Sequence, residues 1–312
     1  MNGMNSDNPP STRCAVVGIV GRTNSGKSTL VNKLVGEKVS IVSPVVQTTR
    51  NTIRAIVDEP RGQLVLTDTP GLHKAESKLG TLINRMARHA AANVEILVVV
   101  FDVSNEPHLE DDGWMRRVLA DPEKRPCIFF MNKTDRPSNH EEDFHKLWES
   151  IKKELGEARE VTVFSGSAVT GRGTGELIDA LFKFAQPSER LYDPDILSDY
   201  PRRLAMADVI REKLFLTLHK ELPHEVGVRI DDFHEGPERW DVHASLLVSR
   251  ESQKPIIIGP KGHFVRKVRM ESEKELSEQY DVKVVLDLRV KVDKNWTTNN
   301  YTLRQMGYIG EY

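Results

Sequence analysis

The 312-residue sequence predicts an α/β domain, with a mostly parallel sheet and helices on both faces, followed by a smaller α+β domain. Three observations carry that prediction. Residues 13–186 alternate short apolar runs with stretches of helical periodicity, as chains of βαβ units do. One turn among them, Gly21-Arg22-Thr23-Asn24-Ser25-Gly26-Lys27-Ser28, has the glycine spacing of a loop held between a strand and a helix. After a proline-bearing stretch at 187–203 the pattern changes, and residues 204–312 read as helix, two strands, two helices and a strand.

Taken in order, residues 1–12 are polar and carry Pro9-Pro10, a disordered N-terminus without the apolar core of a signal peptide. Ala15-Val16-Val17-Gly18-Ile19-Val20 is the first strand, near 14–20, apolar and β-branched like a buried parallel strand. Apolar residues at helical spacing then run to Gly36, which caps a helix over 27–36. Further strands are expected near 53–58, 63–68, 94–101, 126–131 and 159–165, and helices near 78–92, 109–120, 140–155 and 174–185. Glu59-Pro60-Arg61-Gly62 reads as a tight hairpin turn, giving one antiparallel pair. The other connections need helical crossovers, so ligands belong beyond the C-terminal strand ends.

The motifs fall at those ends. Gly21, Asn24, Ser25, Gly26, Lys27, Ser28 and Thr29 form G-x4-G-K-[ST] and the helix start behind it, where backbone N–H groups cradle a di- or triphosphate. Lys27 can reach the β- and γ-phosphates, and the Ser28 hydroxyl can coordinate Mg²⁺. Asp68-Thr69-Pro70-Gly71 ends the third strand; Asp68 supports the metal and Gly71 offers a backbone N–H to the γ-phosphate. In Asn132-Lys133-Thr134-Asp135 a carboxylate accepts from the N1–H and exocyclic amine of guanine, a donor pair that adenine lacks. That selects GTP and GDP and argues against an ATP-dependent kinase or transporter. Ser167 and Ala168 supply small residues and a backbone N–H to close over the guanine O6. Within Gln47-Thr48-Thr49-Arg50 a threonine completes the Mg²⁺ shell when the γ-phosphate is present; both are eligible and Thr49 is favoured. Lys27, Thr49 and Gly71 are therefore the groups placed on the reacting phosphate.

Composition bounds the rest. Forty-four basic residues against 46 acidic leave a formal net charge of −2, so nucleic-acid binding needs a local patch. Cys14 and Cys127 lie in apolar runs without a C-x-x-C pattern and read as buried thiols. The longest apolar run, Ile96 to Phe101, is far too short to span a membrane, and a cytoplasmic protein is expected.

In the second domain Leu204 to Leu222 reads as an amphipathic helix, with Ala205, Val209, Ile210, Leu214 and Leu218 on one face. Strands follow at Val226–Phe233, Trp240–Val248 and Val282–Val292. Gly259-Pro260-Lys261-Gly262 separates two helices, and its second glycine begins the longer one, so its amides and Lys261 can clamp a nucleic-acid backbone. Ile257 and Ile258 are expected to line a groove for bases. Arg250, Lys254, Lys261, Arg266, Lys267 and Arg269 face only Glu251 in this stretch, and His263 joins them as a contact candidate.

With these motifs in order, the chain resembles the bacterial Era family of translation-associated GTPases, down to Gln47-Thr48-Thr49-Arg50 and a tail with Trp296, Leu303-Arg304, Gly307 and Tyr308. The resemblance implies a P-loop GTPase domain followed by a type II KH domain. It implies binding to the 3′ end of 16S rRNA, a role in assembly of the 30S ribosomal subunit and a monomeric chain. Peripheral association with the inner face of the membrane belongs to the same expectation. Thr23 and Ser25 stand where the family usually has proline and valine, positions whose side chains do not bind phosphate. The resemblance also implies that Asn24 helps hold a potassium ion beside the phosphates. Leu72 occupies the place of the water-positioning glutamine of Ras-type enzymes, so slow intrinsic hydrolysis is expected. A GTP-dependent RNA scaffold with negligible turnover is the rival reading.

Overall fold

The computed structural model describes residues 12–42, 51–70, 78–218 and 226–309. They divide between two compact units. The first comprises residues up to Val39, Thr52–Leu72 and Ala87–Asp199; the second comprises Ser40–Asn51, His73–Met86 and the chain from Tyr200 onward.

In the first unit, strands β1 (Arg13–Val20), β2 (Ile53–Glu59), β3 (Gly62–Asp68), β4 (Ile96–Asp102), β5 (Cys127–Asn132) and β6 (Thr162–Ser165) lie in the order β2-β3-β1-β4-β5-β6. All neighbours are parallel except β2 and β3, the expected hairpin. The two-residue strand β7 (Gln186–Pro187) adds a second antiparallel pair on β1, too short to leave a periodic signal in sequence. The helices are α1 (Lys27–Val35), α3 (Leu109–Leu119), α4 (Glu141–Leu155) and α5 (Thr174–Phe184), while α2 (Lys78–Ala92) belongs to the second unit through Met86 and to the first from Ala87. Alternate strand residues feed opposite cores, as a pleated sheet covered on both faces requires. Val17, Ile19, Val98 and Val100 pack with Leu30, Leu34, Leu177 and Leu181 of α1 and α5. Val20, Val99 and Phe101 pack with Trp114, Phe144 and Trp148 of α3 and α4. Both cysteines are buried, and burial pushes the Cys127 thiol up to about 12, consistent with inert packing.

The stretch after β7, up to residue 199, is a strap. Ile56 on the outer strand β2 donates its N–H to the Leu197 carbonyl at 2.9 Å, and Ala55 bridges to Ser198. Gln63, fully buried, accepts from the N–H groups of Leu191 and Tyr192 and donates to the Tyr192 carbonyl. Arg190 pairs with Asp58 at 2.8 Å. The open edge of the sheet is thereby covered.

The second unit contains α6 (Arg202–Thr217), β8 (Gly227–Glu235), β9 (Arg239–Val248), α7 (Lys254–Ile258), α8 (His263–Tyr280), β10 (Lys283–Val292) and α9 (Asn300–Gln305). Its sheet runs β10-β9-β8, with β10 parallel and β8 antiparallel to β9. Helix α6 corrects the amphipathic reading. Asp208, Arg211 and Glu212 are buried along with Met206, Val209, Ile210, Leu214 and Phe215, so the polar side of the helix is interior too. Arg211 pairs with Asp208 at 2.7 Å, and the Tyr200 hydroxyl donates to the same carboxylate at 3.0 Å. A separate cluster joins Ile83 of α2 to Leu247, Trp296, Leu303, Met306 and Tyr308.

Candidate functional site

Strands β3, β4, β5 and β6 end on Asp68, Asp102, Asn132 and Ser165, and the glycine-rich turn leaves β1 at the same edge of the sheet. The turn is shaped by two glycines. A Cβ on Gly21 (φ 148°) would lie 2.5 Å from the Val100 carbonyl, and one on Gly26 (φ 100°) 2.2 Å from Asn132 Nδ2. Gly26 then starts α1 with no side-chain cap and no acidic residue in the first turn, which leaves the helix start and its dipole for an anion. Ser28 and Thr29 lie in that first turn.

Lys27 is buried, and its ammonium donates to the carbonyls of Arg22 at 2.7 Å and Gly21 at 3.3 Å. Burial lowers its pKa to about 8 against the opposing charge of Asp68, which is itself fully buried. The Thr69 hydroxyl donates to the Ile19 carbonyl at 2.9 Å and ties the end of β3 to β1. A triphosphate with a divalent cation fits this donor set: an uncapped helix start, a desolvated ammonium, a hydroxyl at Ser28 and a carboxylate at Asp68. Thr49, its neighbour Thr48, Gly71 and Leu72 lie outside the described residues.

At the base end, Asn132 does not face outward. Its Nδ2 donates to the Ser25 carbonyl at 2.8 Å and its Oδ1 accepts from the Ala168 N–H at 2.9 Å. Asn132, which belongs to the guanine-selecting motif, thus joins the phosphate turn to the Ser167-Ala168 turn through the buried Ser25 and Ala168. Asp135 keeps a partly exposed carboxylate with Arg136 4.0 Å away. Lys133 donates to the Asn24 carbonyl at 2.7 Å and to Asp102 at 2.8 Å. Asp102 also receives Ser104 Oγ at 2.5 Å, Asn105 Nδ2 at 3.2 Å and the Arg22 guanidinium at 3.1 Å. Burial pushes the Asp102 carboxyl up, but the bonds from Lys133 and Ser104 and the charge of Arg22 outweigh it and hold it below the usual range. Sequence reasoning missed Asp102. The usable signal was a carboxylate directly after an apolar strand, the same signal that marked Asp68.

In the second unit, Gly259 (φ 73°, ψ 175°) ends α7, and Gly262 (φ 74°) begins α8 without a side-chain cap. The Gly262 N–H donates to the Gly259 carbonyl at 3.1 Å, which makes the turn tight. Pro260, Lys261, His263, Arg266 and Lys267 are exposed around it. Arg269 is half-buried and held by Glu273 at 2.9 Å. Ile257 is corrected from groove to core: it is 1% exposed among the packed residues of the unit, whereas Ile256 is 52% exposed and Ile258 half-buried. One turn of helix carries successive isoleucines to different sides, and only one can point inward.

The family described as 50S ribosome-binding GTPase matches residues 16–133, and the KH domain matches residues 221–297. GTPase Era of Synechocystis sp. is 36% identical over 301 residues, covering 96% of this chain and 94% of the relative. GTPase Era of Geotalea uraniireducens is 35% identical, covering 95% and 98%. A crystal structure of Era in complex with MgGDPNP and nucleotides 1506–1542 of 16S ribosomal RNA superposes with a TM-score of 0.85 at 30% identity, covering 95% of this chain and 99% of that one. An Aquifex aeolicus Era variant bound to GDP and AlF4⁻ gives the same TM-score at 29% identity, covering 95% and 99%. Relatives 35–36% identical over 95–96% of the chain, with the motif residues gathered at one sheet edge, lead to one conclusion: the chain belongs to the Era family of GTPases.

Proposed function

We propose that this GTPase binds Mg²⁺ and GTP or GDP at the edge of the first sheet and binds the 3′ end of 16S rRNA through the Gly259–Gly262 turn, in assembly of the 30S subunit. The observation that carries the reading is the pairing, in one chain, of an uncapped helix start behind a desolvated Lys27 with a second uncapped helix start ringed by exposed cations. The Era relative solved with MgGDPNP and an rRNA segment supports the same pairing of ligands.

In this reading Lys27 neutralises phosphate charge, Ser28 and Thr49 hold Mg²⁺, Asp68 supports it and Gly71 donates to the γ-phosphate. When bound, the metal supplies Lewis-acid stabilisation of the charge that develops on the phosphate. Asp135 selects guanine and Ala168 closes over the base. Asn24 holds potassium, so replacing potassium with sodium lowers the hydrolysis rate. On the RNA side the amides of Gly259 to Gly262 and Lys261 take the backbone, with His263, Arg266 and Lys267 beside them and Ile258 toward the bases. Arg269 contributes less, because Glu273 already holds it. The chain acts as a cytoplasmic monomer; among the described residues no helix is long and apolar enough to cross a membrane.

The test is GTP hydrolysis in potassium buffer, with and without a short single strand from the 16S rRNA 3′ end. Wild type runs beside Gly259→Asp combined with Lys261→Glu. RNA is expected to raise the wild-type rate and to leave the double variant unchanged. Equal rates in all four arms would remove the RNA assignment from this turn.

A further inference from the structure

Arg22, Asp102, Lys133 and Asn24 close a ring. Arg22 and Asn24 belong to the phosphate turn, Asp102 ends β4, and Lys133 belongs to Asn-Lys-x-Asp. The links are Arg22 to Asp102 at 3.1 Å, Lys133 to Asp102 at 2.8 Å and Lys133 to the Asn24 carbonyl at 2.7 Å. Asn24 (φ 60°) and Lys133 (φ 70°) both hold left-handed backbone, a conformation that costs a non-glycine residue energy and persists only where the surroundings impose it. Behind the ring stands Asp111, fully buried in the first turn of α3. Its carboxylate accepts from the His108 N–H at 3.0 Å and lies 3.3 Å from Arg22 Nε. Arg22 is therefore gripped by two carboxylates inside the protein and is not available to swing toward a phosphate.

We propose that Asp102 is a positioning residue for guanine recognition: it holds Lys133, and with it the loop that carries Asp135, in register with the phosphate turn. The inference rests on the assignment of Lys133 and Asp135 to the base. Asp102 touches no nucleotide. It acts because Lys133 is bonded to it and to the phosphate turn at once, so a shift of one binding loop drags the other. Arg22 fixes Asp102 in turn, and Asp111 fixes Arg22.

The experiment compares dissociation constants for GDP and inosine diphosphate, which lacks the exocyclic amine, on the full chain. Wild type is expected to prefer GDP strongly; no preference would sink the base assignment itself. With that preference in place, Asp102→Asn is expected to shrink it about tenfold, because a misplaced acceptor no longer distinguishes the amine. In hydrolysis assays the KM for GTP should rise more than kcat falls. Equal loss for both nucleotides, with a lower Tm, would mean that Asp102 only stabilises the fold, and would overturn the proposal. If Asp102→Asn fails to fold, Arg22→Gln opens the same ring from the other side and Arg22→Lys restores a cation to it. An unchanged GDP preference in a folded Arg22→Gln would overturn the proposal equally.

Discussion

At the scale of single residues, Lys27 carries the most consequential charge. Its pKa of about 8 in the folded chain lies below the ordinary 10.5 of the unfolded one, so the unfolded chain holds more protons between those values. Burying the cation therefore costs stability in full below about pH 8, and the nucleotide-free fold gains stability as pH rises from there toward 10.5. A phosphate placed against the ammonium restores the charged form. Nucleotide binding near pH 8 should thus take up about half a proton, and almost none at pH 6. Calorimetry in buffers of different ionisation heat measures this; no uptake at pH 8 would mean the ammonium is not beside the phosphates. The residues of the phosphate turn were legible because Gly21 and Gly26 are demanded by close approach, and that demand prints itself as spacing. Asn132 was legible as a motif, but the bonds it makes were not. Its partners, Ser25 and Ala168, come from distant parts of the chain and meet it only through the order of strands.

At the scale of elements, periodicity gave the strands and helices of the first unit within a few residues at each end, because apolar strands and capped helices write their own boundaries. Helix α6 escaped, since Asp208 and Arg211 satisfy each other inside the unit and a paired charge looks in sequence like a solvated one. The turn between α7 and α8 allows a sharper test of its two glycines. A Cβ at Gly259 would sit 2.5 Å from the Phe264 ring, in a backbone conformation that glycine alone adopts readily, whereas a Cβ at Gly262 meets nothing within 4 Å. Gly259→Ala should therefore cost roughly 2–3 kcal/mol and distort the turn, while Gly262→Ala should cost about 1 kcal/mol through backbone strain alone. Denaturant midpoints of the two variants measure the difference; equal losses would mean that Phe264 yields freely.

At the scale of the whole molecule, the sequence suggested one cut near 187–203, and the chain is more interleaved. The second compact unit takes in Ser40–Asn51 and His73–Met86 as well as everything from Tyr200. Asn51 donates to the Tyr200 hydroxyl at 2.7 Å and to the Met306 carbonyl at 3.2 Å, and Ile83 is buried against Trp296, Leu303 and Tyr308. No local pattern announces such excursions, because each is a short apolar or polar complement to residues over 100 positions away. Ile83→Ala in the full chain empties part of that cluster. It should cost about 2–4 kcal/mol and lower the denaturation midpoint of the second unit. An unchanged midpoint would show the excursion that carries Ile83 to be energetically idle.

The strap over β2 has a consequence in time. A nascent chain leaves the ribosome N-terminus first, and β2 emerges well before Leu197 and Ser198, the residues that cover its outer edge. At synthesis rates of roughly 5–20 residues per second, a growing sheet would wait on the order of ten seconds with that row of peptide groups bare. The edge of β2 is thus sealed only as the chain from Tyr200 onward begins to be made, and the interval before that is when a newborn chain is most open to pairing with the wrong neighbour.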